Sequence, residues 1–428
     1  MSGYRFSWQT GRVPAPASVS RRRLVGGLVV ALFVAGCSAG AAGQSPTWVP
    51  QPDFQGNNEP QPQVPNPGNE FPAPNPSAPG TGVPLPTPSQ PGGGASPGAP
   101  TPAPSSPVTD PAVVATKLDQ PTGIVVLPDG TALVGERTTG RILRVQPRPG
   151  QPVQLVQTLA GVDGSGDGGL LDLAVSPTFT EDGLIYAYLT TATDNRVVHF
   201  ALSSAPSPVI TGIPKGRTDN VGRIAFDATG ALLTGTGDAG QPALAQDPAS
   251  LAGKILRTSD LGKALADNPV AGSRVFARGL RTVNGLCVDP KSGTRFALSS
   301  GTPDEVNIIK PGADYGWPTH SANSTDPAKT LPPTTAGAGG CTATNGRLTV
   351  ATSTGMSLVV AGVNQTATIG TFTSTIQRKY GRLRSVVSAA DGALWLTTSN
   401  RDSHGTPTAD DDRVVRILPS EAGGPNVV

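Results

Sequence analysis

The sequence is poor in aromatic residues, in charge, and in cysteine and histidine. Of 428 residues, 4% are aromatic and 14% are charged, and there are three cysteines and three histidines. Scattered as they are, these Cys and His residues give no zinc-type spacing. The formal net charge is +2, and no basic stripe accompanies it, so we expect no nucleic-acid partner.

Glycine and proline, by contrast, are abundant, with 54 and 45 residues. Because both residues break helices, this composition argues against a helical bundle or a coiled coil. The length leaves room for one large β-domain with appendages.

The N-terminus has the pattern of an export signal. Three arginines, Arg21–Arg23, precede the apolar run Leu24–Ala35, which would span about 18 Å as a helix and is too short to cross a membrane. Val34–Cys37 resembles the lipobox of bacterial lipoproteins. We therefore predict a lipoprotein signal peptide over 1–36, a lipid on Cys37, and a location on the outer face of the cell membrane. A plain signal peptide is the alternative, and the arginines leave the export route, Sec or twin-arginine, open.

A proline-rich tether is predicted for residues 37–111. Residues 44–111 contain 21 prolines and no Lys or Arg. Such a segment cannot bury enough apolar area to fold, and it favours an extended, semi-rigid spacer. The alternative is a Pro-rich ligand for a partner module. Residues 421–428 are predicted to be a disordered tail.

Two cysteines, Cys287 and Cys341, remain in the exported part, where disulfides persist. We predict a bridge between them; two buried free thiols are the alternative.

The rest of the chain repeats one pattern six times. Its clearest unit, from Pro121 to Val145, reads as a strand, a Pro-Asp-Gly turn, a second strand, a polar turn and a third strand. A period of 43 to 61 residues with several short strands per unit is typical of a β-propeller. We predict an all-β, six-bladed propeller over 112–420, with a tandem array of β-sandwiches as the alternative. The other units start near Leu170, Gly222, Val283, Gly340 and Leu383.

Several stretches resemble the glucose/sorbosone dehydrogenase family, soluble quinoproteins that use pyrroloquinoline quinone (PQQ) and calcium. The resemblance covers nearly all of 117–418. Some segments look closer still to a tethered mycobacterial lipoprotein of that family. The matching stretches include GDGGLLDLAVSPTF (166–179), RGLRTVNGL (278–286), PDEVNIIKPGADYGWP (303–318) and GRLRSVVSAADG (381–392).

The resemblance implies a set of cofactor and catalytic residues. Arg281, Arg382 and Arg384 match arginines that hold PQQ, and Arg382 and Arg384 face the same side of a strand because they are two residues apart. The alternative for all three is an ion pair between blades. Asp219 stands where the family has its general base, a histidine four residues before the arginine that matches Arg223. An aspartate with an ordinary pKa of about 3.9 is a poor base near neutral pH.

The implied calcium loop is altered. Its residues here are Gly301, Thr302 and Asp304, and the alternative for the acidic residues is that they cap a turn. Thr354 falls where the family has a lysine near the quinone oxygens.

Two main hypotheses of function follow. The first is a propeller with a degenerate catalytic site that binds a sugar or another cell-envelope ligand, or serves as a scaffold. The second is a PQQ-dependent oxidoreductase that acts on the CH–OH group of a sugar; a different propeller chemistry is a third alternative.

Overall fold

The computed structural model describes residues 110–418. The predictions for the signal peptide, Cys37, the C-terminal tail and nearly all of the tether lie outside these residues. No helix in the described range has the length and apolarity that a membrane span requires.

The described chain forms six four-stranded antiparallel sheets, the blades of a propeller. Blade 1 contains β2 (Pro121–Val126), β3 (Ala132–Glu136), β4 (Arg141–Val145) and β5 (Gln154–Thr158). Blade 2 contains β6 (Leu170–Val175), β7 (Leu184–Thr190), β8 (Asn195–Ala201) and β9 (Ser207–Ile213). Blade 3 contains β10 (Gly222–Phe226), β11 (Leu232–Thr236), β12 (Lys254–Thr258) and β13 (Val275–Arg278).

The second half of the ring repeats this arrangement. Blade 4 contains β14 (Gly285–Val288), β15 (Arg295–Ser299), β16 (Glu305–Ile308) and β17 (Lys329–Thr330). Blade 5 contains β18 (Ala338–Thr344), β19 (Arg347–Thr352), β20 (Ser357–Gly362) and β21 (Thr373–Thr375). Blade 6 contains β22 (Leu383–Ser388), β23 (Leu394–Thr398), β24 (Val414–Ile417) and β1 (Val113–Ala115). The helices are short: α1 (Phe179–Asp182) and two 3₁₀ turns, Pro242–Ala245 and Pro333–Thr335.

The first strand of each blade contacts the first strands of both neighbouring blades, so the ring is closed. Each of these strands begins at or within a few residues of a repeat start predicted from the sequence, and the six-bladed propeller is confirmed. The closing strand β1 was not predicted. It pairs antiparallel with β24, with Val113 opposite Val415, and so completes blade 6 with the start of the described chain.

The turns between first and second strands follow from local chemistry. Asp129 accepts the backbone N–H of Thr131 at 2.9 Å, and Asp227 accepts that of Thr229 at the same distance. In the first of these turns Gly130 has φ 80°, a backbone conformation that strongly favours glycine. Because these turns require Asp and Gly at fixed positions, the repeat can be recognised in the sequence.

Six apolar clusters fill the spaces between neighbouring blades. The first strands approach so closely that a Cβ at Gly123 would lie 2.7 Å from the backbone nitrogen of Leu173. Between blades 4 and 5, Cys287 on β14 and Cys341 on β18 are joined by a disulfide bond inside one of these clusters.

Candidate functional site

A cavity of about 1090 Å³ opens on the face of the ring where first strands begin and second strands end. We call this face the cavity face. The walls come from blades 1, 2, 3 and 6, so residues far apart in sequence meet there. The lining residues include Gln120, Arg137, Ser165, Asp167, Thr193, Lys215, Arg217, Arg382, Arg384, Asp402, Ser403 and His404.

The charged lining of this cavity is mostly positive, with five Lys or Arg side chains against two carboxylates. Two of the five have acidic partners: Arg382 bonds Asp402 at 2.9 Å, and Lys215 pairs with Asp163. The other three, Arg137, Arg217 and Arg384, have no carboxylate within 4.0 Å among residues 110–418. A cavity with this excess of guanidinium groups is suited to an anion.

Arg384 is one of the partly buried cations of this lining. Its guanidinium makes no hydrogen bond to any described residue, and it faces the cavity. Burial, reinforced by the nearby charges of Arg223 and Arg137, lowers the pKa of Arg384 to about 9. At neutral pH the group therefore stays charged, and no residue of 110–418 pairs with that charge.

Arg223 forms hydrogen bonds and an ion pair that link neighbouring blades next to the cavity. It is 3% exposed and donates to the carbonyl of Asn284 at 2.6 Å and to Ser385 Oγ at 2.9 Å. Its ion pair with Asp172 spans 3.4 Å between blades 3 and 2. Arg223 is thus a structural link between blades, and it does not line the cavity, whereas Arg384 does.

Arg281 does not join Arg382 and Arg384 in one cavity. Its Nε lies 3.7 Å from Asp219 Oδ1, and its guanidinium stacks 5.4 Å from the ring centre of Trp317. Arg281 lines a second cavity of about 290 Å³. The structure therefore separates the three arginines that the resemblance grouped together.

Asp219 lines neither cavity, but a neighbour or partner of it lines each one. Thr218, next to it, lines the larger cavity, while its partner Arg281 lines the smaller one. Burial raises the pKa of Asp219; Arg281 opposes the rise, and the carboxylate of Asp238 adds to it. The backbone of Asp219 has φ 58°, and its N–H donates to Asp167. Asp219 is therefore a firmly held carboxylate with an increased affinity for a proton.

The predicted calcium loop borders the smaller cavity, where Gly301 and Thr302 lie beside Glu305 and His320. Asp304 does not point into that cavity as a free ligand. Its Oδ1 accepts the N–H of Gly301 at 3.2 Å, and its Oδ2 accepts those of Gly337 at 2.7 Å and Ala338 at 2.9 Å. This is the turn-capping alternative. No group of three or more His, Cys, Asp or Glu side chains suited to a metal ion occurs in the described range.

Sequence reasoning missed three cations of the larger cavity, Arg137, Lys215 and Arg217. Arg137 lies on the loop between β3 and β4, and Lys215 and Arg217 share the loop that joins β9 of blade 2 to β10 of blade 3. The signal that could have found them is positional, because polar residues just before first strands and just after second strands all reach the cavity face.

Six four-stranded blades in a closed ring, with a cation-rich cavity on one face, define a six-bladed β-propeller. Comparison with known proteins identifies the family to which this propeller belongs. The model of the Glucose / Sorbosone dehydrogenase family matches residues 118–340. The chain belongs to this family.

Individual relatives agree with that assignment. An aldose sugar dehydrogenase of Escherichia coli is 31% identical over 229 residues, 48% of this chain and 61% of the relative. Quinoprotein glucose dehydrogenase B of Acinetobacter calcoaceticus is 27% identical over 250 residues, 49% of this chain and 52% of the relative. The chain thus spans about half to three fifths of the length of these curated relatives.

Among solved structures, the PQQ-bound form of an aldose sugar dehydrogenase from Streptomyces coelicolor matches with a TM-score of 0.68 and 38% identity. That match covers 72% of this chain and 96% of the other.

Proposed function

We propose that the larger cavity binds PQQ and that this propeller is a ligand-binding module with a weakened catalytic site. The observation that carries the proposal is the Arg384 guanidinium, which is partly buried, lines the cavity and is unpartnered within the described chain. PQQ bears several carboxylates, and a guanidinium binds a carboxylate through two parallel hydrogen bonds. The relatives named above support the same ligand.

Each cation would have its own part in binding. Arg384 would take a carboxylate at the floor of the cavity, and Arg382, already held by Asp402, would offer its remaining donors beside it. Arg137 is fixed by Gln120 at 2.9 Å and by the carbonyl of Gly168 at 2.7 Å, so its charge is held in place at the wall. When bound, the quinone would supply a two-electron acceptor.

Calcium fits this chain poorly at the loop that the resemblance indicates. A calcium ion takes six to eight oxygen ligands, and both oxygens of Asp304 already accept backbone N–H groups. The proposal therefore assigns no role to calcium.

Oxidation of a sugar hydroxyl is the second candidate function. The observation in its favour is the raised pKa of Asp219 beside the cavity, because a general base works best when its pKa approaches the working pH. The ion pair with Arg281 works against it, since the guanidinium stabilises the carboxylate and makes it a weaker base.

A PQQ titration of the full chain in detergent, followed by the absorption of the quinone, tests the proposal. We expect saturable binding at micromolar PQQ, weakened at least tenfold by Arg384→Ala because a charge-assisted pair is lost. Arg148→Ala is the matched control: Arg148 is exposed and does not line the cavity. Absence of binding, or equal binding by the Arg384→Ala protein, would overturn the proposal.

We also propose that the propeller is tethered to the outer face of the cell membrane by a lipid on Cys37. The lipobox-like Val34–Cys37 and the proline-rich segment that follows support this location.

A further inference from the structure

The larger cavity is slightly above the usual size of a pocket for one ligand, and it carries cations on two walls. Its volume of about 1090 Å³ exceeds the range of roughly 300–1,000 Å³ typical of a pocket that holds one drug-sized ligand. One wall, from blade 6, carries Arg382 and Arg384. The opposite wall, from blades 2 and 3, carries Lys215 and Arg217.

The acidic residues near the second wall are already engaged. Asp163 pairs with Lys215 and accepts the N–H of Ser165 at 3.0 Å. Asp167 accepts the side-chain amide of Asn220 at 2.7 Å and the N–H of Asp219. Neither lies within 4.0 Å of the charged group of Arg217, which forms no ion pair with any residue of 110–418.

Arg217 also differs from Arg384 in position. It is exposed, whereas Arg384 is partly buried. A ligand that enters after the cofactor would meet Arg217 first. Hydroxyl oxygens of Thr193 and Ser403 line the same cavity and can accept hydrogen bonds from a polyol, while the Ser403 proton is donated to the carbonyl of Asp402 at 2.5 Å.

From these features we infer that the second ligand of this cavity is a negatively charged saccharide, a uronic acid or a sugar phosphate, recognised by Arg217. The inference deepens the proposed function and rests on the larger cavity being the ligand site. A neutral sugar would gain hydroxyl contacts alone, whereas a carboxylate or phosphate would add charge-assisted bonds to Arg217.

Calorimetric titration of the full chain in detergent, without PQQ, tests the inference with glucuronate, glucose 6-phosphate and glucose as probes. We expect at least one charged sugar to bind tenfold or more tightly than glucose, with a preference that shrinks at high salt. Which charged sugar binds tells a carboxylate ligand from a phosphate ligand. Arg217→Ala should abolish the preference, and Arg148→Ala should retain it.

Equal or tighter binding of glucose would overturn the inference, and so would a preference that survives Arg217→Ala. The result is separable from the cofactor proposal, since the PQQ titration uses Arg384→Ala and no sugar. Failure of PQQ binding with an intact, Arg217-dependent sugar preference would overturn the cofactor alone.

Discussion

At the scale of single residues, the proposed weakening of the catalytic site rests on the Asp219–Arg281 pair. The carboxylate stands where relatives of this fold are expected to carry a histidine, and Arg281 holds it at 3.7 Å while stacking on Trp317. The side chains of both residues are thereby committed to each other. This arrangement accounts for a weakened base beside an anion cavity.

Replacing Asp219 by histidine should restore a base near neutral pH. The backbone at φ 58° favours Gly, Asn and Asp, but it also admits histidine more readily than most residues. With PQQ and a sugar present, we expect dye reduction about 10²-fold or more faster than in the wild type, with a pH inflection near about 6.5.

Asp219→Asn serves as the control for that variant, since it keeps the shape of the side chain and cannot take up the proton. It should show no gain in rate. A histidine variant that binds PQQ but oxidises each tested sugar no faster than the wild type would show that position 219 is not a base.

At the scale of elements, the loop between β23 and β24 controls one wall of the cavity. It carries Asp402, Ser403 and His404 into the lining and is held at its far end by Asp412. Asp412 accepts Thr398 Oγ1 at 3.1 Å and the N–H of Asn400 at 2.5 Å. Burial raises the pKa of Asp412 to about 6, although these hydrogen bonds oppose the rise.

The raised pKa of Asp412 makes the stability of the fold depend on pH. Because the folded state binds the proton more tightly than the unfolded state, this group stabilises the fold most below about pH 4 and loses that contribution as pH rises through about 6. Asp412→Asn cannot ionise. The thermal midpoint of the wild type, measured relative to that of Asp412→Asn, should therefore fall between pH 4.5 and pH 7.

Asp410→Asn is the matched control, two residues away and exposed. Its midpoint should follow that of the wild type over the same pH range. Two results would contradict the assignment. One is a difference between the wild-type and Asp412→Asn midpoints that does not change with pH, and the other is a wild-type midpoint that rises relative to that of Asp412→Asn as pH rises.

The elements also show what the sequence could predict. The first strands of the six blades could be predicted because each is followed by a turn with a recognisable Asp or Gly. In the first of these turns Asp129 accepts a backbone N–H and Gly130 adopts a positive φ. The three-residue strand β1 was not foreseen, because its place is set by pairing with β24 some 300 residues later in the chain. The spacing of Arg382 and Arg384 predicts that they share one face of a strand. The orientation of the Arg281 side chain toward Trp317 could not be predicted, because it depends on tertiary contacts.

At the scale of the whole molecule, the proposed function needs a propeller held outside the cell. If Cys37 carries the anchor, Cys37→Ser should move the protein from the membrane fraction to the soluble fraction, because the acyl chains supply the membrane affinity. Fractionation of cells that express each form measures this. Cys287→Ser, which removes the internal disulfide instead, should leave any folded protein in the membrane fraction.

A soluble Cys287→Ser protein with normal PQQ binding, or a Cys37→Ser protein that stays in the membrane, would contradict the anchor. Either result would leave the propeller itself unaffected, since the ring is closed within residues 110–418 by β1 and β24.

The central claim is that the cation-rich cavity holds a carboxylate-bearing quinone. A crystal structure of the protein grown with PQQ tests this most directly. The account predicts quinone density in the larger cavity with a carboxylate within hydrogen-bond distance of Arg384. Density at the smaller cavity beside Arg281, or an Arg384 that contacts no ligand in the complex, would contradict it.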